Sequence, residues 1–224
     1  AVIAWVDDAS IDHDIFHPEL IFTECLNLLS QGGVLVIGPG YGKTSSAIHL
    51  LSQVLDSDAV LLLDADALTL ISADSRLQNA LRRRQARTVL TPHPLEAARL
   101  LGCSTEAVLA DRVTSAKKIA VNYGHPVVVK GAGSVIAVPS GQVWVSPWAI
   151  PLLSIPGSGD VLAGLIASFV AQKLDVEDAL KLGVWVHGQS GGELQQNAGG
   201  AIGALASELT EAIRHILNRH ERAG

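Results

Sequence analysis

Six short aliphatic runs, alternating with helical patterns, restrict what this chain can fold into more than any other feature. They are Val34 to Ile37, Ala59 to Leu63, Thr88 to Leu90, Pro126 to Val129, Val135 to Val138 and Val143 to Val145. Several are apolar without a break, as strands buried on both faces must be. Helical patterns over Thr44 to Leu55, Asp74 to Arg84, Leu95 to Leu101 and Thr105 to Tyr123 lie between them. That alternation predicts an α/β fold with a layered, mostly parallel sheet flanked by helices. The stretch from Val127 to Val145 differs, because Gly131 and Gly133 separate closely spaced runs and predict antiparallel strands joined by tight turns. Beyond Ser154 the pattern is helical almost to the end, over Ser158 to Gln172, Val176 to Gln196 and Ala201 to Arg219. With no linker or repeat, residues 1–224 read as one domain, and 48% hydrophobic content is enough for a sizeable core.

Charge and cysteine usage exclude several functions. The formal net charge is -6 and no basic run is longer than Arg82 to Arg84, which argues against nucleic acid or a membrane surface as partner. Every apolar stretch is interrupted short of the roughly 20 residues a bilayer span requires. Cys25 and Cys103 form neither a staple network nor a metal-binding pair, so a reducing cytoplasm is expected. The chain starts at Ala1 and holds no methionine, although translation begins with one, so residues are expected to be missing from it.

Five polar or glycine-rich clusters fall at the ends of the predicted strands, where open α/β sheets bind ligands. The most informative is Gly157-Ser158-Gly159-Asp160, followed at once by an apolar helix. Its glycines allow close approach of the backbone, and the opening helix turn offers unpaired N–H groups to an anion. A carboxylate beside phosphates makes sense if it takes a proton from a hydroxyl as that oxygen attacks phosphorus, which makes Asp160 the candidate general base. The plainer alternative is that Ser158 or Asp160 only caps the helix.

The cluster Gly38-Pro39-Gly40-Tyr41-Gly42-Lys43-Thr44 has three residues between Gly38 and Gly42 where a P-loop has four. Its amides can still cradle part of a ligand, or it is a tight strand-to-helix turn. Asp64 and Asp66 follow a strand and suit a hydrated Mg²⁺, which needs only one or two protein oxygens, or else they cap the next helix. In Thr91-Pro92-His93-Pro94-Leu95-Glu96 the prolines hold His93 and Glu96 rigidly. His93 then bonds a substrate or satisfies local backbone, and Glu96 is a third candidate metal ligand or a favourably placed helix-start acid. Lys130-Gly131-Ala132-Gly133-Ser134 offers a positive charge and turn amides to a nucleotide, or is an ordinary glycine hairpin.

Taken in order, Val36-Ile37-Gly38-Pro39-Gly40, Leu63-Asp64-Ala65-Asp66-Ala67-Leu68, Thr91 to Glu96, Val129 to Gly133 and Gly157 to Gly164 resemble the ADP/ATP-dependent NAD(P)H-hydrate dehydratases. The likeness runs from Val34 to Gly191. It implies a ribokinase-like fold, a homo-oligomer and a repair reaction in which hydrated NADH or NADPH loses water at the expense of ADP or ATP. Carried across by motif, Asp160 touches substrate and acts as base, while Gly40, Gly42 and His93 line the hydrate. Lys130 to Ser134, with Gly157, Ser158 and Gly159, hold the nucleotide. The Lys-Gly-Ala-Gly turn goes with ADP preference in the family. Three departures stand out: nothing before Val34 matches the family's earlier glycine-rich segment, Leu152 to Pro156 lacks the usual small, threonine-containing run, and Tyr41 replaces a leucine.

Two other readings remain open on the residues alone. A kinase of the same fold, acting on a hydroxymethylpyrimidine or hydroxyethylthiazole alcohol, would also use a Gly-Ser-Gly-Asp loop. A non-enzymatic nucleotide sensor would gain little from Asp160 beside phosphates.

Overall fold

The computed structural model describes residues 33 to 221 and two short strands nearer the start, β1 (Ile3–Ala4) and β2 (Ile21–Phe22), which pair in parallel. The main sheet has the order β3-β4-β5-β6-β7-β8. Its strands are β3 (Val34–Ile37), β4 (Val60–Leu63), β5 (Thr88–Leu90), β6 (Val127–Val129), β7 (Val135–Ala137) and β8 (Val143–Val145). The first four run parallel, with Ile37 opposite Leu63, Leu63 opposite Leu90 and Leu90 opposite Val127. Strands β7 and β8 return antiparallel, as the glycine-separated runs predicted.

Successive strand residues point to opposite faces, and this chain fills both. Leu61, Leu63, Val127 and Val129 enter one core, packed on α1 (Ser45–Leu55), α2 (Ala65–Ala73), α3 (Ser75–Arg83), α4 (Pro94–Leu101), α5 (Thr105–Ala110) and α6 (Arg112–Tyr123). Leu62, Val89, Val128 and Ile136 enter the other, packed on α7 (Ser158–Ala171), α8 (Val176–Asn197) and α9 (Ala206–Glu221). Each fully buried aliphatic side chain contributes about 1.5–3 kcal/mol, so the sheet has no face it can afford to expose.

Three helix boundaries differ from the sequence reading. Helix α2 was anticipated only through the alternative that Asp64 and Asp66 cap a helix, which holds for Asp64, the pattern over Thr105 to Tyr123 breaks into α5 and α6 at Asp111, and the last helix begins at Ala206 rather than Ala201. Asp111 makes the break by accepting a 2.8 Å hydrogen bond from the Thr114 N–H, which starts a new helix. A 3-10 turn at Pro151–Ser154, also unanticipated, leads into α7.

One buried cation ties the first layer together. The Arg84 guanidinium donates to the carbonyls of Val54 at 3.1 Å and Leu55 at 2.8 Å, to those of Ser57 and Ala59, and through Nε to Thr88 Oγ1 at 2.8 Å. It therefore satisfies the carbonyls left open where α1 ends and β4 begins. Among the described residues no helix is long and apolar enough to cross a membrane.

Candidate active site

The parallel strands β3 to β6 all end at one edge of the sheet, and backbone hydrogen bonds stitch the loops that follow them. The Asp64 N–H donates to the Ile37 carbonyl at 3.0 Å, the Thr91 N–H to Leu63 at 3.0 Å, and the Lys130 N–H to Pro92 at 2.8 Å. Gly38 makes the first junction possible, since a Cβ there would stand 1.8 Å from the Asp64 carbonyl oxygen. The candidate residues thus share one rigid rim.

Lys130 is the charged centre of that rim. Its ammonium lies 2.5 Å from Asp64 Oδ1, and Asp64 is wholly buried. Burial raises the Asp64 carboxyl above its ordinary range, and Lys130 pulls in the opposite direction. On its other side Lys130 reaches the first turn of α7, where a Cβ on Gly159 would come within 3.1 Å of Nζ. A helix start carries about half a positive charge, so a lysine beside it is unfavourable unless anions balance both. Asp64 supplies one negative charge, and a bound phosphate would supply the rest.

A cleft of about 230 Å³ opens beside this centre, lined by Lys130, Gly131, Ala132, Ser134, Ser158 and Gly159 on its polar side. Trp148, Ile150, Leu153, Leu162 and Val184 form its apolar wall. Such an arrangement suits a ligand with a flat apolar part and a charged tail. Six of the eight proposed nucleotide contacts are brought together here, while Gly133 and Gly157 stand outside the lining. Gly133 instead donates its N–H to the Trp148 carbonyl at 2.8 Å, and Gly157 starts α7 with a positive φ of 83°.

The start of α7 is held from behind by His187 of α8. Its Nε2 lies 3.0 Å from the Ser158 carbonyl and 3.2 Å from Ser158 Oγ. A carbonyl only accepts, so Nε2 carries the proton. Burial pushes the imidazole down to about 4, which keeps it neutral. His187 was not among the candidates read from the sequence, because the contact spans 29 residues, beyond the reach of local pattern reading.

The remaining candidates do not line the cleft. Asp160 occupies the first turn of α7, exposed, and among the described residues its carboxylate makes no hydrogen bond or ion pair. His93 caps α4: Nδ1 accepts from the Leu95 and Glu96 N–H groups at 3.2 and 3.4 Å, and Nε2 lies 3.0 Å from Glu96 Oε1. The backbone role weighed for His93 is therefore present. Burial works to raise the Glu96 carboxyl, but hydrogen bonds from His93 and the charge of Lys130 outweigh it and hold the group low. Gly40 and Gly42 lie in the turn after β3, where the Gly42 N–H donates to Asp66 Oδ2 at 3.0 Å.

The three carboxylates put forward for a metal do not share a centre. Asp64 is tied to Lys130, Asp66 to Gly42 and to Lys43 at 3.3 Å, and Glu96 to His93. Among the described residues no group of three or more His, Cys, Asp or Glu side chains can hold an ion. Of these carboxylates' oxygens, Asp64 Oδ2 is buried and has no hydrogen-bond partner among the described residues.

The family model for NAD(P)H-hydrate dehydratase matches residues 6 to 215. The chain belongs to that family. It is 40% identical over 186 residues to an ADP-dependent (S)-NAD(P)H-hydrate dehydratase of Neisseria meningitidis. That match covers 82% of this chain and 62% of the relative, so the chain spans less than two thirds of the relative's length. An ADP/ATP-dependent NAD(P)H-hydrate dehydratase of Bacillus subtilis, co-crystallized with ATP/Mg²⁺, is similar in structure with a TM-score of 0.76 and 28% identity. The similarity covers 91% of this chain and 73% of that one. A ribokinase-like superfamily protein from Enterococcus faecalis gives a TM-score of 0.74 at 24% identity, covering 91% of this chain and 71% of that one. The dehydratase-family chain therefore has the ribokinase-like fold that the resemblance implied.

Proposed function

We propose that this chain dehydrates hydrated NADH and NADPH with ADP as its preferred nucleotide and ATP as the alternative. One observation carries the reading: the uncommitted Asp160 carboxylate stands next to Gly159, where a phosphate-complementary centre meets a half-apolar cleft. On this reading Lys130, the Gly131 to Ser134 turn and the start of α7 hold the nucleotide. Gly40, Gly42 and His93 border the hydrate on the side of β3 and β5. Asp160 takes the proton of the hydrate's hydroxyl as its oxygen attacks the terminal phosphorus, and the bridging P–O bond breaks to release AMP. The ring C–O bond then breaks, phosphate departs, and loss of a proton from the neighbouring carbon restores the double bond.

Mg²⁺ needs only one or two protein oxygens when phosphates supply others, and Asp64 Oδ2 fits that requirement. When bound, the ion would offset the phosphate charge. The free thiol of exposed Cys103 accords with a reducing cytoplasm. Ile202 and Leu205, 98% and 64% exposed, supply an apolar patch for association of identical copies. The acidic net charge keeps nucleic acid and membranes out of the reading.

The test is turnover of hydrated NADPH with ADP, with ATP and without nucleotide, following the absorbance of the reduced cofactor and free phosphate together. The expected result is recovery of NADPH with one phosphate released per turnover, fastest with ADP. A stable phosphorylated product with no recovered NADPH would identify a kinase and defeat the reading.

A further inference from the structure

The nucleotide turn is fixed by a residue that lies outside the cleft. Arg112, the first residue of α6, extends its guanidinium over the turn after β6 and donates through Nη2 to the Ala132 carbonyl. The same group fills the space above Gly131, where an added Cβ would stand 2.5 Å from Nη1, and above Gly133, where one would stand 3.8 Å from Nη2. The next N–H along the turn, that of Gly133, donates to the Trp148 carbonyl at 2.8 Å. The Ala132–Gly133 peptide is thus held at both ends, its oxygen by Arg112 and its N–H by the Trp148 carbonyl. Ser134 Oγ accepts from the Gly131 N–H at 3.3 Å and donates to the Gly131 carbonyl at 3.2 Å. Among the described residues the N–H groups of the turn that remain without a partner are those of Ala132 and Ser134, both in residues that line the cleft.

The position of Arg112 argues independently for a task beyond its own helix. A cation on the first residue of a helix opposes the helix dipole. Asp111 already caps that helix through the Thr114 N–H, so α6 gains nothing from an arginine there. A planar fork gripping a carbonyl and lying flat on a glycine is a contact that lysine's single ammonium does not reproduce.

We propose that Arg112 is a positioning residue for nucleotide binding: by fixing the Ala132–Gly133 peptide it holds the turn in the shape that leaves its unbonded N–H groups to the phosphates. This inference rests on the nucleotide site proposed above. It concerns binding, not the chemical step, so the two separate in experiment.

The test is calorimetric titration of the wild type, Arg112→Ala and Arg112→Lys with ADP in the absence of hydrate, together with kcat and KM for each. Arg112→Ala should weaken ADP binding on the order of tenfold or more and raise the ADP KM in step. It should leave kcat within about twofold, and the KM for hydrate and the melting temperature of the unliganded protein should not move. Arg112→Lys should regain less than half of the lost binding energy. Wild-type ADP affinity in Arg112→Ala, full rescue by lysine, or a wild type that does not bind ADP would each overturn the proposal. A wild type that binds ADP without turning over hydrated NADPH would defeat the proposed reaction while leaving the Arg112 comparison decisive.

Discussion

Three consecutive residues in the first turn of α7 face three different surroundings, because each step along a helix rotates the side chain by about 100°. Ser158 is buried against His187, Gly159 borders the cleft beside Lys130, and Asp160 points to solvent. The sequence motif revealed the third of these as a candidate base but could not separate it from a helix cap. Among the described residues no backbone N–H is bonded to the Asp160 carboxylate, so the capping alternative does not hold for it. Asp160→Asn keeps the size and polarity of the side chain and removes its basicity. It should retain ADP affinity and lose turnover by a factor on the order of a hundred or more, measured by steady-state kinetics alongside calorimetry. Unchanged turnover would remove Asp160 from the chemistry. The contacts that hold the site were not legible at this scale: Lys130 and Asp64 are 66 residues apart, and Arg112 and Ala132 are 20 apart. A spacing motif shows which side chains exist, not which ones a fold brings together.

At the scale of elements the strands were the most readable part. All six runs of the main sheet appear within one residue of the stretches picked out by their β-branched and aliphatic content. Burial on both faces leaves an uninterrupted apolar signature that little else imitates. Helix α2 did not show in the pattern for the converse reason: Ala67, Leu68, Leu70 and Ile71 are all buried, so the segment lacks the polar stripe that marks a surface helix. Its two aspartates drew attention as ligands, whereas Asp64 caps the helix through the Ala65 N–H at 2.8 Å and Asp66 anchors the turn after β3. Arg84 does comparable work between α1 and β4. Arg84→Ala would leave several carbonyls buried without donors, and should lower stability by roughly 3 kcal/mol in urea denaturation. A loss below about 0.5 kcal/mol, the range of ordinary surface substitutions, would show that water takes over the role of the guanidinium.

For the whole molecule, two buried histidines set the acid limit of stability. Burial lowers His187 to about 4 and also lowers His125, so the unfolded chain binds more protons than the folded one below pH 6.5. The contribution of these two histidines is therefore complete above that value and drains away as the pH falls toward their folded values, while the raised carboxyl of Asp64 offsets part of the loss. His187 alone should account for about 2 kcal/mol between pH 7.5 and pH 5, read from urea denaturation, and His187→Gln should flatten the curve by that amount. An equally steep curve in the variant would assign the effect elsewhere. The change of strand direction after β6 bears on how such a protein diversifies. Because β7 doubles back, the turn after β6 is a hairpin, while the other loops on the same rim lead into helices of the first layer. Lengthening that hairpin would remodel one side of the cleft and leave the register of the parallel strands intact, so on the proposed function the choice of phosphate donor and the choice of acceptor can drift separately over generations.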